Sequence, residues 1–456
     1  ARLSYLSTIH HLRRANIQID KTTKIGAPIR RLHGSAWGLM CPTDDPSDTG
    51  MGKTMSLFCR MSDASPISVI KEIVYKHKTF LLISKIHPST WNPTWSKVFL
   101  NSDLVGVITQ ETETFHSMLI NLRREQKINK FVSLTWNRVD NEYLIFTDTG
   151  RPCRPIYREG VKQELVLNTK NWKDMSEKHM DYIDAQESEC LRINMESFHP
   201  TLHSEIHGLT IFAPSASVIP HPEHSQAPRN IFSCQQTKQS CSWFSTAFSK
   251  RFDTLTTVLH SPQTPLSQTW TYRHVLGNNG CLPYGENAMI AIAMYTGYNQ
   301  DDSLIINDSA IKRGMFGITY YHSYTFEEEM IDMGLQVHTE IANVAENPKY
   351  RESVIRKDNL DYSQLDGDGY IRLGAKVTDS TVLVGMVQPV LNAGGQVTSY
   401  RDDSQKPKRG QLGLVDAVYR FADKDGLRKV KIRIAEIREP VLGDKFAARS
   451  GQKGTC

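Results

Sequence analysis

The sequence predicts a mixed α/β protein that is divided into several small modules. Its 456 residues are enough for about three domains, each with a hydrophobic core of its own. Within 61–180, short strand-like runs at 80–83 and 143–146 alternate with polar helical segments. From about 326 to 440, short β runs are separated by glycines, which is typical of a β-rich module.

The remaining elements follow from hydrophobic patterning along the chain. A helix is predicted over 3–14, because one side is apolar and the segment ends in a basic His-His-Leu-Arg-Arg run. Segment 181–230 combines a charged helix with a loop rich in proline and histidine. Segment 284–325 is the most apolar, and we expect buried runs at 287–294 and 304–306.

Composition narrows the class of protein. A hydrophobic fraction of 39% and a charged fraction of 23% indicate a globular chain rather than a disordered one. The net charge of +5 is compatible with a nucleic-acid groove and with many ordinary enzymes. The sequence contains no run of about 18 apolar residues, so a membrane span is not predicted. The eight cysteines are scattered, which favours a reduced intracellular compartment over a disulfide framework or a zinc finger.

Both ends of the sequence suggest a piece of a longer protein. Ala1 begins an amphipathic basic segment without the apolar core of a signal peptide. The last residues directly follow a basic cluster. We therefore expect further polypeptide on both sides.

An acidic loop at 297–303 separates the two apolar runs. Asp301 and Asp302 are adjacent in it, and a carboxylate on a rigid frame can hold a hard cation such as Mg²⁺. If the pair lies at a strand end, only one side chain faces a shared site, because neighbours on a strand point to opposite faces. A solvated turn that caps the following segment explains the same residues.

Two further segments carry cations suited to phosphates. Lys445, Arg449 and Lys453 lie between glycines, which let a backbone approach phosphates closely. Arg229 follows a proline, and its planar guanidinium matches triphosphate oxygens. Exposed basic loops are the alternative for both segments.

Other patterns resemble metal-binding motifs but lack a required ligand. His221 and His224 flank a proline, but no cysteine or third ligand is evident nearby in sequence. The 366–369 segment lacks the spacing and the closing glutamate of a calcium loop and is predicted to be a turn. A metal-dependent hydrolase that uses Asp301 and Asp302 would need further ligands at useful spacing.

Six segments in order resemble the second-largest (β-type) subunit of multisubunit DNA-dependent RNA polymerases. They read STIHHLRR (7–14), LHGSAWGLMCP (32–42), TGRPCRP (149–155), EIH (205–207) with SASVIP (215–220) leading into QAPRNIF (226–232), YNQDDS (298–303) and GDKFAARSGQKG (443–454). The resemblance is collinear from end to end and looser over 61–140 and 326–440. It implies a central fragment with fork parts at 1–60 and 181–215, external modules at 61–150 and 151–180, a β-rich wall at 326–439, and a hybrid-binding region at 216–325 and 440–456 that contributes to a double-ψ β-barrel.

The resemblance also implies the reaction and its partners. The expected activity is templated addition of ribonucleoside triphosphates to the RNA 3′ end, within a complex of the largest subunit, other polymerase subunits, DNA template and nascent RNA. The largest subunit carries the tightly held Mg²⁺ in this family. A non-catalytic nucleic-acid-binding relative is the alternative, and it would not need Asp302. Membrane partners are not expected.

The resemblance assigns roles residue by residue. Asp302, with Asp301 beside it, is expected near the second Mg²⁺, which arrives with the nucleotide. Arg229 is expected to contact the triphosphate, and Lys445 and Lys453 the region of the RNA 3′ end. Further nucleic-acid contacts are expected from Lys238, Gln239, Arg449, Arg13 and Arg14.

Several positions depart from the family pattern. The family's Glu-Thr-Pro-Glu-Gly run is replaced at 43–48, Phe232 stands where tyrosine is common, and Asp301 stands where glutamate is commoner. These departures indicate a divergent polymerase, and we expect a large DNA virus as its source, with a cellular, organellar or plasmid origin as the alternative. The site of action would then be the nucleus or the cytoplasm, in a viral factory or a virion.

Overall fold

The computed structural model describes residues 2–16, 26–44, 51–195, 198–276, 283–332, 337–392 and 395–456. Across these ranges the chain forms α-helices and several separate β-sheets, which confirms the mixed α/β prediction. None of the helices in the described ranges is long and apolar enough to cross a membrane.

The amino-terminal part is a helix followed by a two-stranded sheet. Its elements are α1 (Tyr5–Leu12), β1 (Arg14–Asn16), α2 (Ala27–Arg30) and β2 (Gly52–Thr54). The Ser4 hydroxyl accepts a hydrogen bond from the Ser7 N–H at 3.0 Å, which caps the first turn of α1. The predicted helix at 3–14 is confirmed in its main part, although Arg14 already belongs to β1, which pairs antiparallel with β2.

The next module is a five-stranded sheet with two helices. Its elements are α3 (Ile67–Tyr75), β4 (Phe80–Leu82), β5 (Ser96–Leu100), β6 (Asp103–Ile108), α4 (Thr112–Arg124), β7 (Ser133–Asn137) and β8 (Glu142–Phe146). The sheet order is β4-β6-β5-β8-β7, with β5 and β8 parallel. Both strand-like runs predicted for 61–180 are therefore strands. Phe115 and Leu119 are fully buried because residues four apart share one helix face.

A second sheet and its helices follow. The elements are β3 (Arg60–Met61), β9 (Pro152–Tyr157), α5 (Gln163–Asn168), α6 (Trp172–Lys178), β10 (Met180–Asp184), α7 (Ala185–Cys190), β11 (Ile193–Asn194) and β12 (His203–Ser204). The strand order is β10-β9-β12-β11, and β3 also pairs with β9. Two guanidinium nitrogens of Arg123 on α4 donate to the two carboxylate oxygens of Glu187 on α7, at 2.9 and 2.7 Å. This buried pair joins the two modules.

The chain then runs through mostly short helices. They are α8 (Pro214–Ser217), α9 (Ala227–Gln239), a π-helical turn (Tyr272–Leu276) and α10 (Asp308–Lys312). Among the helices of this segment, α9 is the one long enough to form three turns, and it packs against α1 and α8. It thereby brings 227–239 next to the amino-terminal part of the chain.

The β-rich prediction for 326–440 is confirmed. The strands are β13 (Leu255–Leu259), β14 (Ile318–Glu327), β15 (Met330–Asp332), β16 (Val337–His338), β17 (Glu340–Ile341), β18 (Lys376–Val377), β19 (Met386–Leu391), β20 (Val397–Asp402), β21 (Gly413–Ala422) and β22 (Arg428–Arg438). One sheet has the order β13-β14-β22-β21-β18, and another β17-β19-β20. On β22, Val430, Ile432 and Ile434 are buried at every second position and face the largest core of the described chain.

The prediction of buried runs at 287–294 and 304–306 is wrong for the described chain. Met289 and Ile292 are 101% and 100% exposed, and Leu304 and Ile305 are also exposed. No helix or strand forms between 283 and 307, and no described element covers the apolar side chains of 289–294. Hydrophobicity indicates that a segment favours burial, but not whether the covering surface lies in the same stretch of polypeptide.

Candidate functional site

The basic segment at the end of the chain is a β-hairpin. Strands β23 (Lys445–Ala447) and β24 (Lys453–Thr455) pair antiparallel, with Lys445 opposite Thr455 and Ala447 opposite Lys453. Because side chains alternate along a strand, this register places Lys445 and Lys453 on the same face. Both lysines are exposed. Phe446, on the other face, packs against Phe316 with ring centroids 5.0 Å apart.

The acidic loop is fixed to this hairpin through its backbone. The Thr455 N–H donates to the Asp302 carbonyl at 3.1 Å, and the Leu304 N–H donates to the Thr455 carbonyl at 2.9 Å. A Cβ on Gly454 would lie 2.7 Å from the Asp302 carbonyl oxygen, so the close approach requires glycine. The hairpin and the acidic loop are therefore one structural unit.

Asp301 and Asp302 lie in a turn, which is one of the two interpretations that the sequence allowed, and not at a strand end. Their φ angles are +48° and +65°, in the left-handed region that aspartate tolerates better than most residues. Both residues are exposed, and neither carboxylate forms an ion pair within the described part of the chain. Two carboxylates on consecutive residues are thus free to bind a cation.

Helix α9 packs against the turn of the hairpin. A Cβ on Gly451 would lie 2.2 Å from the Arg229 carbonyl oxygen, and Gly451 has a φ of +79°. The Arg229 guanidinium donates to the Gly451 carbonyl at 3.4 Å, and the Ser233 hydroxyl donates to the Arg449 carbonyl at 2.5 Å. The Lys453 ammonium lies 5.1 Å from the centre of the Phe232 ring. The structure therefore brings Arg229 and Lys453 into one neighbourhood.

Arg449 holds the hairpin turn in place. Its guanidinium donates to the carbonyls of Val218 at 3.2 Å and Ser267 at 2.6 Å. These two bonds engage backbone on either side of α9 in sequence. Arg449 is half-buried, so part of its side chain still faces solvent.

Lys238 belongs to a buried network rather than to the open surface. Its ammonium lies 2.6 Å from one carboxylate oxygen of Asp44, and the His10 ring nitrogen and the Ser215 hydroxyl each bind the other oxygen, at 2.8 and 2.7 Å. Burial alone would raise the pKa of Asp44, but the His10 hydrogen bond and the Lys238 charge outweigh it and lower the pKa to about 2. Lys238 therefore neutralises a buried carboxylate.

This network was not predicted from the sequence. The one sequence feature that pointed to the network is the presence of acidic residues at 43–48. Positions 45–48 lie outside the described residues. Asp44 and Lys238 are 194 positions apart, so no local pattern connects them.

The two amino-terminal arginines are placed differently from the hairpin lysines. The Arg13 guanidinium donates to the carbonyls of Leu57 at 3.1 Å and Cys59 at 3.0 Å, and also to that of Ser56. Arg14 is half-buried on β1. Arg13 thus braces the chain after β2. Gln239, in contrast, is exposed at the end of α9.

Comparisons with known proteins agree on one family. Residues 215–456 match the family described as RNA polymerase Rpb2, domain 6, while 98–158 match domain 4 and 1–61 match domain 3.

Individual relatives cover the chain from end to end. The chain is 34% identical to the DNA-directed RNA polymerase II subunit RPB2 of Encephalitozoon cuniculi, over 100% of this chain and 41% of that protein. It is 34% identical to the DNA-directed RNA polymerase II subunit 2 of Arabidopsis thaliana, over 100% of this chain and 40% of that protein. It is 33% identical to the DNA-directed RNA polymerase subunit Rpo2 of Sulfolobus acidocaldarius, over 99% of this chain and 42% of that protein. The chain spans about two fifths of the length of these relatives.

Proposed function

Because this chain belongs to the family of second-largest subunits of DNA-directed RNA polymerases, we propose that it supplies part of a nucleotide-addition site. The proposed reaction is templated transfer of nucleotides from ribonucleoside triphosphates to the RNA 3′ end, together with the largest subunit. One observation carries the proposal: the hairpin 445–455 binds the loop of Asp302 through hydrogen bonds and contacts the helix of Arg229. The hairpin therefore connects the acidic loop and the helix of Arg229 to the strands that carry Lys445 and Lys453.

The cations of this neighbourhood suit the phosphates of the reaction. Arg229 makes one long hydrogen bond to Gly451, which leaves most of its N–H donors for triphosphate oxygens. Lys445 and Lys453 project from the same face of the hairpin and are proposed to contact phosphates near the RNA 3′ end. Arg449 is proposed to position the turn between them and to meet nucleic acid with its exposed part.

The carboxylates suit a divalent cation that arrives with the nucleotide. Asp301 and Asp302 offer exposed oxygen donors without competing ion pairs, as Mg²⁺ requires. No third acidic residue or histidine converges on them within the described chain, so nucleotide phosphates, water and the largest subunit would complete the coordination. When bound, Mg²⁺ neutralises charge that develops on the α-phosphate and on the pyrophosphate leaving group.

Contacts within the chain support some of the proposed nucleic-acid contacts more than others. Lys238 neutralises Asp44, and Arg13 donates to three carbonyls, so both support the fold more directly than they could bind phosphates. Gln239 remains proposed as a contact with the RNA of the hybrid because it is exposed. Arg14 is half-buried on β1, and this position does not favour a contact with nucleic acid. Fork, wall and double-ψ barrel organisation, an intracellular site of action and a viral source also remain proposals.

Primer extension on a preformed RNA–DNA scaffold tests the proposal. The full-length subunit is co-expressed with its largest-subunit partner, as wild type and as Asp302→Ala. Templated, Mg²⁺-dependent extension that falls sharply in the variant supports both the reaction and the site. No extension by a well-assembled wild-type complex, with scaffold binding retained, would instead favour the non-catalytic nucleic-acid-binding relative.

A further inference from the structure

A three-residue cluster lies on the loop that precedes α9. Residues Pro222–His224 form a single 3-10 turn, and His221 stands at its amino-terminal end. Side chains three positions apart are eclipsed in a 3-10 turn, which brings the imidazoles of His221 and His224 onto one side. The two rings stack with centroids 4.9 Å apart and an interplanar angle of 14°.

Glu223 supplies the third ligand that the sequence analysis did not find. One of its carboxylate oxygens lies 3.2 Å from Nδ1 of His221 and 3.7 Å from Nε2 of His224. One ligand atom from each side chain lies within 4.8 Å of the other two. Within the described residues, no other group of three or more histidine, cysteine, aspartate or glutamate side chains converges in this way. The missed signal was the glutamate between the proline and the second histidine.

The two separations that involve Glu223 match the ligand spacing of a transition-metal site. Two ligand atoms that each lie about 2.0–2.1 Å from Zn²⁺ at a tetrahedral angle are about 3.4 Å apart. The observed 3.2 and 3.7 Å lie on either side of that spacing. Two imidazoles and one carboxylate suit Zn²⁺ and similar ions, whereas Mg²⁺ prefers oxygen ligands only. All three side chains are at least 64% exposed, so an ion can reach them from solvent.

We propose that His221, Glu223 and His224 form a binding site for Zn²⁺ or a similar divalent transition metal, separate from the Mg²⁺ that accompanies the nucleotide. The remaining coordination positions belong to water. The site does not depend on the proposed polymerase activity, because its ligand set and geometry are local to this loop.

Metal binding at this loop would also restrain the start of α9. His221 has a φ of +47°, in the left-handed region that most side chains disfavour, and metal coordination would hold it there. The buried side-chain amide of Asn230, on the first turn of α9, donates to the Pro222 carbonyl at 2.8 Å. A bound ion would therefore stiffen the loop together with the start of the helix that carries Arg229.

Zinc binding by the full-length subunit tests the site. Equilibrium dialysis against Zn²⁺ is carried out with wild type, His224→Ala, Glu223→Gln and the control His87→Ala, which removes an exposed histidine elsewhere. We expect one Zn²⁺ equivalent to be lost, or bound roughly tenfold or more weakly, in both site variants but not in the control. Equal binding by all four proteins, or equal loss in the control, would overturn the proposal.

Hydrogen exchange separates a built site from loose association. Adding Zn²⁺ to the wild-type subunit should slow amide exchange across 221–231 and leave His224→Ala unchanged. Exchange that does not change while Zn²⁺ binds would contradict coupling to α9. Circular dichroism of each variant confirms that folding is intact, since the substituted side chains are exposed.

Discussion

Gly451 lies directly against the backbone of Arg229, which precedes it by 222 positions. The carbonyl oxygen of Arg229 occupies the space in which any Cβ at position 451 would lie, at 2.2 Å. This contact fixes the turn of the basic hairpin on α9. Because the next strand of the hairpin carries Lys453 and pairs with the loop of Asp302, the contact links α9 to both of these parts of the candidate site.

Gly451→Ala should therefore separate the hairpin from α9. The φ of +79° and the clash with Arg229 together predict a stability loss of about 1–3 kcal/mol and a sharp fall in nucleotide addition. Gly410→Ala is the matched control, because Gly410 has a φ of +81° with nothing within 4 Å of its Cβ position. Urea denaturation and scaffold extension compare the two. Equal effects on extension would show that the contact with Arg229 has no special role.

Lys453→Gln should weaken binding to the RNA–DNA scaffold in a salt-dependent manner. Loss of one phosphate contact reduces the slope of log affinity against log salt by about 0.7–0.9. Lys173→Gln, which removes an exposed lysine on α6, should leave the slope unchanged. Titration of labelled scaffold at several salt concentrations measures both slopes, and an unchanged slope for Lys453→Gln would exclude it from phosphate contact.

Asp44→Asn should destabilise the amino-terminal part of the chain at neutral pH. The pKa of Asp44 is about 2 in the folded protein and 3.8 in a model compound. Folding therefore gains roughly 2 kcal/mol from the ionised carboxylate above pH 4, and loses it as the pH falls from about 4 to about 2.

The pH dependence of unfolding checks the Asp44 prediction. Wild type should lose stability over the range from pH 4 to 2 more steeply than Asp44→Asn does. Asp358→Asn, at an exposed position, should behave like wild type. Parallel curves for wild type and Asp44→Asn would show that the network with His10 and Lys238 does not hold the proton off Asp44.

Glu187→Gln should destabilise the contact between the module that contains β4–β8 and the module that contains β9–β12. It leaves the Arg123 guanidinium buried without its charge partner, which costs about 3–5 kcal/mol. Glu72→Gln removes an exposed partner of Lys76 and should change stability little. Thermal unfolding of both variants measures the difference, and a small effect of Glu187→Gln would mean that water reaches Arg123 after substitution.

Local pattern predicted the secondary structure well where neighbouring residues decide it. The strands at 80–82 and 142–146 and the β-rich 326–440 region follow from β-branched and aromatic runs bounded by turn residues. The run at 287–294 was mispredicted because hydrophobicity does not specify the surface that covers it. The sequence left open whether Asp301 and Asp302 lie in a turn or at a strand end, since two successive left-handed residues have no periodic signal.

Long-range contacts could not be derived from local pattern. Family resemblance, and not spacing, suggested that Asp302, Arg229 and Lys453 act together, and the structure then showed the backbone contacts that bring them into one neighbourhood. The partner of Lys238 was invisible in sequence because Asp44 lies 194 positions away. Such pairings depend on the packing of α9 against α1, which neither segment encodes alone.

The most direct test is the Mg²⁺ dependence of single-nucleotide addition by the assembled polymerase with Asp302→Asn. Wild type and Asp358→Asn serve as controls on one preformed scaffold. We expect the maximal rate of Asp302→Asn to fall roughly 10–100-fold and its half-maximal Mg²⁺ concentration to rise, while scaffold binding stays unchanged. A wild-type rate and an unchanged Mg²⁺ requirement in Asp302→Asn would contradict the assignment of this carboxylate to the nucleotide-addition site.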